Sequence, residues 1–315
     1  MRYGQINLRT KNIFERWDNE SSVRSRTNHH QLSQADIDST TTKNWFPPEM
    51  LVFLRHSAIK AMPNNSIKYL QAHYLVHFLD YTTTLEHTVV NRAVENIVHD
   101  RMGIKFSKDA RDAGLKIYTD EGYHAQFSAD LAEQIVEHFR FPRIVSARIT
   151  KLSTLLETSN KSQYSLIQFL IGFVSETIIA SELLDLSRHK LIAPVHNVFR
   201  DHLHDEARHA QYFSDCFVSI WQHLKSNDRT LAVQYLPKIL DIFCQIDEPW
   251  LAISLMTCPT PPACPKEIIA DSRRWAMTRV SQASLSTVEA IKRTDLLNNP
   301  AFKKLFVEKG LINEH

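Results

Sequence analysis

The sequence predicts an all-α protein, a helical bundle with additional helices, built as one large domain behind a polar arm. Long segments carry apolar residues with the 3.6-residue period of a helix, and few windows alternate polar and apolar residues as a half-buried strand does. Prolines separate these segments, and no linker rich in glycine or serine divides them. The 315 residues, 43% of them hydrophobic, can bury a sizeable core.

The elements follow from this pattern in chain order. Residues 1–43 are polar and lack an apolar period, so we expect an extended or partly ordered N-terminal arm. Residues 44–315 are predicted to form the helical domain. Within it, we expect helices over about residues 66–100, 108–139, 143–158, 161–189, 195–225, 229–245 and 266–293.

Composition excludes several classes of function. The net charge of +2 gives no argument for binding to nucleic acid or to an anionic membrane. None of the six glycines forms a G-x-G-x-x-G or P-loop motif, so the chain is not expected to carry its own flavin or nicotinamide. The apolar run from Ser165 to Leu184 has a spanning length but contains Glu176 and Glu182, which favours a buried core helix. With no apolar signal segment at the start, we expect a soluble, cytoplasmic protein.

One motif occurs twice, as DEGYHAQF and, 85 residues later, as DEARHAQYF. With 16 histidines and 17 glutamates, chance alone supplies about one Glu-x-x-His, but the shared Asp, Ala, Gln and Phe make coincidence a weaker explanation. Glu and His three residues apart project from one helix face. Glu121 with His124, and Glu206 with His209, therefore form candidate halves of a site for iron or manganese.

A carboxylate-bundle metal site also requires one inward Glu from each of two further helices. Glu86 lies within an apolar stripe of its helix, whereas Glu95 lies about 180° away on the polar face. Glu176 is flanked by apolar residues, whereas Glu182 leads towards a more polar face. We therefore predict Glu86 and Glu176 as the remaining carboxylate ligands.

Three further residues are candidates for the same site. His202 precedes Glu206 by four residues and His209 by seven, so it lies on their helix stripe and is predicted to be a third imidazole ligand. Asp120 and Asp205 precede the two motifs. Each is either a hydrogen-bond acceptor for a ligating histidine, reaching across to the partner helix, or an exposed helix residue.

These residues resemble the p-aminobenzoate N-oxygenase (AurF-type) family of non-haem di-iron proteins. The resemblance covers about residues 44–315, because NWFPPEM and NNPAFKKLFVEKGLI are similar to the family's two ends. It implies a ferritin-like, homodimeric protein whose metal ligands are Glu86, Glu121, His124, Glu176, His202, Glu206 and His209.

The resemblance also implies a reaction. Two iron ions would use O2 as co-substrate to oxidise an amine, mainly an arylamine, to hydroxylamine, nitroso or nitro through a peroxo-diferric intermediate. Glu121, Glu206 and His202 would be catalytic, with His202 tuning the reactivity. An external ferredoxin or reductase would supply electrons, and the pathway would be one of secondary metabolism.

Other functions remain open from sequence. A di-iron C–H hydroxylase and a ferritin-like iron-oxidising protein use the same platform. A ribonucleotide reductase small subunit would place a radical tyrosine where Ser128 stands. An aromatic amine substrate would lie against Phe127, Phe169 and Phe173. Arg273 or Arg274 would either bind a carboxylate of the substrate or form a surface salt bridge.

Overall fold

The computed structural model describes residues 6, 8, 13–26 and 30–313, and it confirms the all-α prediction. These residues contain no β-strand and show two isolated bridges, Ile6 with Phe106 and Asn44 with Leu191. The helices of eight or more residues, in chain order, are α1 (Asn64–Leu85), α2 (Asn91–Val98), α3 (Lys108–Phe139), α4 (Ala147–Glu157), α5 (Tyr164–Leu186), α6 (Ala193–His223), α7 (Ser226–Cys244), α8 (Glu248–Thr257), α9 (Pro265–Met277), α10 (Leu285–Lys292) and α11 (Pro300–Glu308).

Four long helical elements form the central bundle. Helix α1 continues into α2, and this element packs against α3 on one side and α5 on the other. Helix α6 closes the ring because it packs against both α5 and α3. This is the arrangement of a four-helix bundle, in which side chains from all four elements meet inside. The remaining helices cover its outside.

The core of the bundle consists of two hydrophobic clusters. One contains Ile117, Phe173 and Tyr212, among others, and the second contains Leu79, Phe127 and Phe199, among others. On α3 and α6 the predicted ligands lie between the two clusters in sequence: Glu121 and His124, for example, stand between Ile117 and Phe127. The bundle therefore encloses one polar layer between two apolar ones.

A π-helical segment, Glu86–Val90, joins α1 to α2 and begins at a predicted ligand. The wider turn changes the rotation of the helix, and such segments occur frequently at functional sites. Glu95 is paired with Arg92 and Arg101 near the surface, in agreement with its prediction as a solvated residue. Asn91, which a regular helical wheel places on that same polar face, is instead only 3% exposed.

The predicted C-terminal helix, residues 266–293, is divided in the structure. It consists of α9, a short turn (Val280–Ala283) and α10. The Thr278 hydroxyl donates to the Trp275 carbonyl at 2.7 Å, and the Ser284 hydroxyl donates to the Val280 carbonyl at 2.9 Å. Side-chain hydroxyls that bond to the backbone in this way compete with regular helix hydrogen bonds. Apolar periodicity alone does not contain this signal.

Helix α5 belongs to a segment, Lys161–Leu186, that has the length and apolar composition of a membrane span. It is the one such segment in the described part of the chain, and 78% of its most apolar window is buried inside the protein. Its apolar surface packs against the other helices of the bundle, as the prediction of a core helix requires.

Two helical glycines give a direct test of this packing. A Cβ at Gly172 would lie 2.5 Å from the Ala93 Cβ, whereas a Cβ at Gly122 would have no heavy atom within 4 Å. We expect Gly172→Ala to lower the free energy of unfolding by about 1–3 kcal/mol, because α5 and α2 must move apart. Gly122→Ala should instead raise it by up to about 1 kcal/mol through helix propensity. Urea denaturation measures both, and equal effects would contradict the close approach of α5 and α2.

Candidate metal centre

The structure brings all seven predicted ligands together inside the bundle. None of their side chains is solvated, since the most exposed residue of the seven is Glu86, at 2%. Glu86 comes from the start of the π segment, two residues come from α3, one from α5 and three from α6. These residues are Glu86, Glu121, His124, Glu176, His202, Glu206 and His209.

Two overlapping groups within this set have the spacing of metal ligands. One contains Glu86, His124, His202 and Glu206, and the second contains Glu121, His124, Glu206 and His209; in each, one donor atom per residue lies within 4.8 Å of the others. The groups share His124 and Glu206. Two adjacent ions could therefore be held with a carboxylate between them.

Contacts between donor atoms show which carboxylates are central. Glu206 Oε1 lies 3.2 Å from His202 Nε2, 3.3 Å from His124 Nδ1 and 3.1 Å from His209 Nδ1. Glu121 is also between two imidazoles, with Oε1 at 2.9 Å from His209 Nδ1 and Oε2 at 3.5 Å from His124 Nδ1. Glu206 and Glu121 thus occupy the positions of bridging carboxylates.

The other two carboxylates lie at opposite ends of the cluster. Glu86 Oε1 approaches His202 Nε2 at 2.8 Å, and Glu176 Oε2 lies 3.6 Å from His209 Nδ1. Each is a terminal partner of one histidine. This distribution, two central and two terminal carboxylates, suits a pair of hard cations.

Many of these atoms lie close together without forming hydrogen bonds. Both carboxylate oxygens of Glu121 and of Glu176 are buried and have no hydrogen-bond partner among the described residues, and the same holds for Glu86 Oε2, Glu206 Oε2, His124 Nδ1 and His202 Nε2. Each buried polar atom without a partner costs about 1–3 kcal/mol. Donors that converge without bonding one another are the expected geometry of a metal-binding cluster, so the residues fit a pair of cations.

Two aspartates orient the histidines across the bundle. Asp205 Oδ2, on α6, lies 3.1 Å from Nε2 of His124 on α3, and Asp120 Oδ2, on α3, lies 3.2 Å from Nε2 of His209 on α6. Both aspartates are fully buried, which excludes the alternative of exposed helix residues. Each repeated motif therefore supplies the acceptor for the other motif's histidine, and each Nδ1 is turned towards the cluster.

The N-terminal segment makes a further layer of contacts that sequence reasoning missed. Trp17 Nε1 donates to Asp120 Oδ2 at 2.8 Å, and the Ser22 backbone N–H donates to Asp205 Oδ2 at 3.1 Å. The turns Trp17–Glu20 and Ser22–Ser25 thus hold the two aspartates that hold the histidines. No apolar period marks this segment, and a single tryptophan was the only available signal.

Later in the sequence, His30 also lies close to the cluster. His30 Nε2 lies 3.2 Å from Asp201 Oδ2, and its ring meets Phe127 edge-on at 5.1 Å. Phe127 also packs against His124 and His202, at 5.4 and 5.8 Å between ring centroids. Phe127 therefore covers one side of the cluster, and its predicted contact with the substrate stays a prediction. The boundary of the arm at residue 43 stays a prediction.

Other predicted substrate contacts lie elsewhere. Phe169 and Phe173 are buried in the apolar core, where Phe173 stacks on Phe217 at 4.4 Å. Arg273 is exposed and forms an ion pair with Glu248 at 2.5 Å, and Arg274 is exposed and paired with Asp271. The two arginines are surface salt bridges, which was one of the two interpretations of the sequence.

The electrostatics of the metal-free cluster divide its carboxyl groups. Burial raises the pKa of Glu86 to about 7 and raises the pKa of Glu176 well above its usual value. Burial also opposes ionisation of Glu121 and Glu206, but the surrounding histidines lower the pKa of both. The two central carboxyls are thus the anionic ones, as bridging ligands must be.

The three histidines and Asp205 show the complementary effect, whereas burial raises the pKa of Asp120. Burial alone would lower the pKa of His202, but the charge of Glu86 raises it to about 9. The pKa of His124 and of His209 is likewise raised above its usual value against burial, through their carboxyl partners. Burial would raise the pKa of Asp205, but its hydrogen bond with His124 helps to lower it to about 2.

These values predict a falling free energy of unfolding for the metal-free protein as pH rises from about 4.5 to 9. A group with a raised pKa contributes its full stability below the unfolded pKa and loses it as pH passes the folded pKa. For Glu86 this window is 4.5 to about 7, and for His202 it is 6.5 to about 9. Each group contributes on the order of 3 kcal/mol. Carboxyl groups with a lowered pKa act only below this window, whereas burial lowers the pKa of His73 from 6.5 to about 4 and so partly offsets the trend between those two values.

Urea denaturation of the metal-free protein at pH 5, 7 and 9 tests the direction. The double variant Glu86→Gln with His202→Asn removes both groups and should make the profile less steep, while the raised pKa of Glu176, His124 and His209 leaves part of the slope. A free energy of unfolding that increases between pH 5 and 9 in the unmodified chain would contradict the electrostatic description.

The role of the arm can be tested at its tryptophan. We expect Trp17→Phe to weaken metal binding by roughly 10- to 100-fold, because Asp120 loses the donor that orients it towards His209. A titration with Co(II), followed by visible absorbance, measures this affinity. Trp221→Phe is a matched control, since the Trp221 indole N–H also donates to an aspartate, Asp295, outside the cluster. Equal affinity in the two variants would show that the arm does not support the site.

Comparison with known proteins agrees with the geometry. Residues 16–286 match the family described as p-aminobenzoate N-oxygenase AurF, and this range includes all seven clustered residues and the arm from Arg16 onwards. A comparison with curated proteins finds no match. The resemblance drawn from the sequence is confirmed by this match over nearly the whole chain. The chain therefore belongs to the AurF family of p-aminobenzoate N-oxygenases, which are monooxygenase enzymes.

Proposed function

We propose that the chain is a di-iron N-oxygenase that oxidises the nitrogen of an arylamine to hydroxylamine and onwards to nitroso or nitro. The observation that supports this most directly is the pair of ligand groups that share His124 and Glu206. A family match alone would leave the metal undefined, and a metal cluster alone would leave the reaction undefined. Together they support both.

The seven clustered residues would hold the two ions. Glu86, His124, His202 and Glu206 surround one position, and Glu121, His209 and Glu176 complete the second with the shared residues. Oxygen and imidazole donors suit iron, and manganese takes the same donors. When bound, iron would supply the redox chemistry that reduces O2, and the peroxo-diferric route stays a prediction of the resemblance.

The first step can be written with balanced atoms and electrons. An amine R–NH2, one O2, two electrons and two protons give R–NHOH and one H2O, so an N–O bond forms and the O–O bond breaks. The electrons must come from an external donor such as a ferredoxin or a reductase, because the sequence contains no dinucleotide-binding motif. Nitroso and nitro products require further oxidation of the same nitrogen.

The side chains of this chain contribute three things to the reaction. The apolar clusters above and below the polar layer exclude water from it. Asp120 and Asp205 accept the Nε2–H of His209 and His124, respectively. The Nδ1 lone pair of each histidine is thereby left free to bind a cation. The raised pKa of Glu86 and Glu176 lets these carboxyls carry protons that binding of cations would displace.

His202 would act as the third imidazole next to Glu86. It lies 4.3 Å from the His124 ring, between centroids, on the same side of the cluster. One end of the cluster therefore has two histidines, and the Glu176 end has one. We therefore expect the two ions to have different sets of ligands. On this basis we propose catalytic roles for His202, Glu121 and Glu206. Soluble cytoplasmic location, a homodimer and a place in secondary metabolism remain predictions.

The proposal is tested by iron content and by the product. The purified chain should bind about two irons, and Glu121→Ala should lose at least one, because Glu121 lies between His124 and His209. Glu95→Ala is the control, since Glu95 lies on α2 outside the cluster, paired with Arg92 and Arg101, and its loss should leave the iron content unchanged. With a chemical reductant and O2, the unmodified chain should convert arylamines to N-oxygenated products, followed by mass spectrometry.

Two outcomes would replace this function with one of its alternatives. Oxygenation only at carbon would indicate a C–H hydroxylase on the same metal centre. Oxidation of Fe(II) by O2 without any oxygenated amine would indicate an iron-oxidising protein. If the purified chain contained no iron and Glu121→Ala left its stability unchanged, the proposal of a metal centre would itself be contradicted.

A further inference from the structure

A cavity of about 420 Å³ adjoins the bundle beside the metal cluster. Its walls come from the second half of α1, the second half of α5, the start of α4, and the connection between α7 and α8. Aromatic rings line much of it, including Tyr74, Phe78, Tyr81 and Trp250. This volume lies within the range of small-molecule sites, about 300–1,000 Å³.

The inner wall of the cavity is close to the metal cluster. Tyr81 precedes Glu86 by five residues on α1, and Glu182 follows Glu176 by six residues on α5. At 1.5 Å per residue, these are separations of roughly 7–9 Å along the helix axes. Burial chiefly raises the pKa of Tyr81 to about 12, and the charge of Glu86 adds to this effect.

An arginine without an anionic partner lines the cavity. The Arg148 guanidinium lies 4.7 Å from the Tyr81 ring and 5.6 Å from the Phe243 ring, both measured to the centroid. Its Nε is buried and has no hydrogen-bond partner, and no ion pair between described residues includes Arg148. A buried guanidinium with an unused donor is a ready site for a carboxylate.

A glutamate without a cationic partner lines the same cavity. Glu182 forms no ion pair with any described residue, although the charges of Arg148 and Arg279 act on it. Burial raises the pKa of Glu182. The charges of Arg148 and Arg279 lower this pKa, whereas the charge of Asp185 raises it. Glu182 and Arg148 are thus opposite charges that face one cavity without touching, and each has room for a ligand group.

The remaining charges of the wall are balanced and mostly occupied. Lys151 donates to Gln245 at 2.6 Å, Asp247 accepts from the Trp250 backbone N–H at 3.0 Å, and Asp185 is 3.5 Å from Arg188. The basic residues of the wall are Arg148, Lys151 and Arg279, and the acidic ones are Glu182, Asp185 and Asp247. Three charges of each sign favour a dipolar ligand over a simple anion.

Two more buried nitrogen atoms lack partners in this cavity. Trp250 Nε1 and His77 Nδ1 have no hydrogen bond among the described residues, although His77 Nε2 lies 3.4 Å from Asp247 Oδ2. Unsatisfied buried polar atoms are rare in folded proteins, and two in one cavity are consistent with a site for a polar ligand. The Trp250 indole N–H would donate to an oxygen of the ligand's head group, whereas His77 Nδ1, whose ring presents Nε2–H to Asp247, would accept from its ammonium group.

We propose that this cavity binds the substrate and that the substrate is an arylamine with a zwitterionic head group. The carboxylate would lie at Arg148, the ammonium group at Glu182, and the ring between the aromatic side chains, so that the aryl nitrogen points along α1 and α5 towards Glu86. This inference rests on the proposed N-oxygenase function and specifies its substrate class.

Three matched arylamines test the two charges separately in the metal-free protein. 4-Aminophenylalanine carries both charges, 3-(4-aminophenyl)propionate carries only the carboxylate, and 2-(4-aminophenyl)ethylamine carries only the ammonium group. By isothermal titration calorimetry, 4-aminophenylalanine should bind at least tenfold more tightly than either analogue, which corresponds to about 1.4 kcal/mol. Equal affinity for all three, or tightest binding of the propionate, would overturn the inference.

Two variants assign the charges to their side chains. Glu182→Gln should remove the advantage of 4-aminophenylalanine over the propionate, and Arg148→Gln should remove its advantage over the ethylamine. Arg273→Gln is the control, since Arg273 is a surface residue paired with Glu248. If either cavity variant weakens all three ligands equally, with its thermal stability unchanged, the assignment of that residue is wrong.

Failure of this inference and failure of the proposed function give different results. Iron-loaded protein that N-oxygenates aniline and 4-aminobenzoate as well as 4-aminophenylalanine would retain the function and overturn the substrate class. Binding of 4-aminophenylalanine that depends on Arg148 and Glu182, without any N-oxygenated product, would support the cavity and overturn the function.

Discussion

Four carboxyl groups and three imidazoles share the interior of this bundle without solvent, and the cost of burying them governs the surrounding structure. No arrangement of seven such groups is stable unless their charges are neutralised by one another, by protons or by cations. The metal-free cluster uses the first two means: the central carboxyls are ionised beside raised histidines, and the terminal carboxyls retain protons. The same groups could serve as ligands for cations that replace the protons.

The layers around the cluster follow from this constraint. Asp120 and Asp205 cross between α3 and α6, so the two halves of the site hold one another. Trp17 and Ser22 then fix these aspartates from outside the bundle. The π segment at Glu86 is the matching feature on α1, where an irregular turn presents a carboxylate to the opposite helices. Rigid support of this kind is what a metal site needs for a defined geometry.

The cavity beside α1 and α5 applies the same principle to a ligand. Arg148 and Glu182 are held apart in an aromatic surrounding, and neither satisfies the other. Their neighbours Lys151 and Asp247 form hydrogen bonds within the protein. Arg148 and Glu182 are therefore the charged groups that remain available to a ligand. The proposed metal centre and the proposed substrate cavity thus share two helices, α1 and α5.

The sequence by itself determined the fold class, most helix bounds and the residues that meet at the cluster. Helix α3 begins and ends at residues 108 and 139, as its apolar period predicts, and Glu86 and Glu176 were found because a carboxylate within an apolar stripe needs a partner. These features are local, since periodicity and i, i+3 spacing are properties of a single helix.

Only the tertiary structure decided which atoms face one another. Residues that are distant in sequence meet in three places. Asp120 and Asp205 cross between α3 and α6, Trp17 is buried against Asp120, and Arg148 and Glu182 face the same cavity. The pattern of one helix cannot contain such contacts, because they depend on how several helices pack. Glu182 shows the difference: its polar sequence neighbours suggested a solvated residue, yet packing of α4 and α8 around it makes it part of a cavity wall.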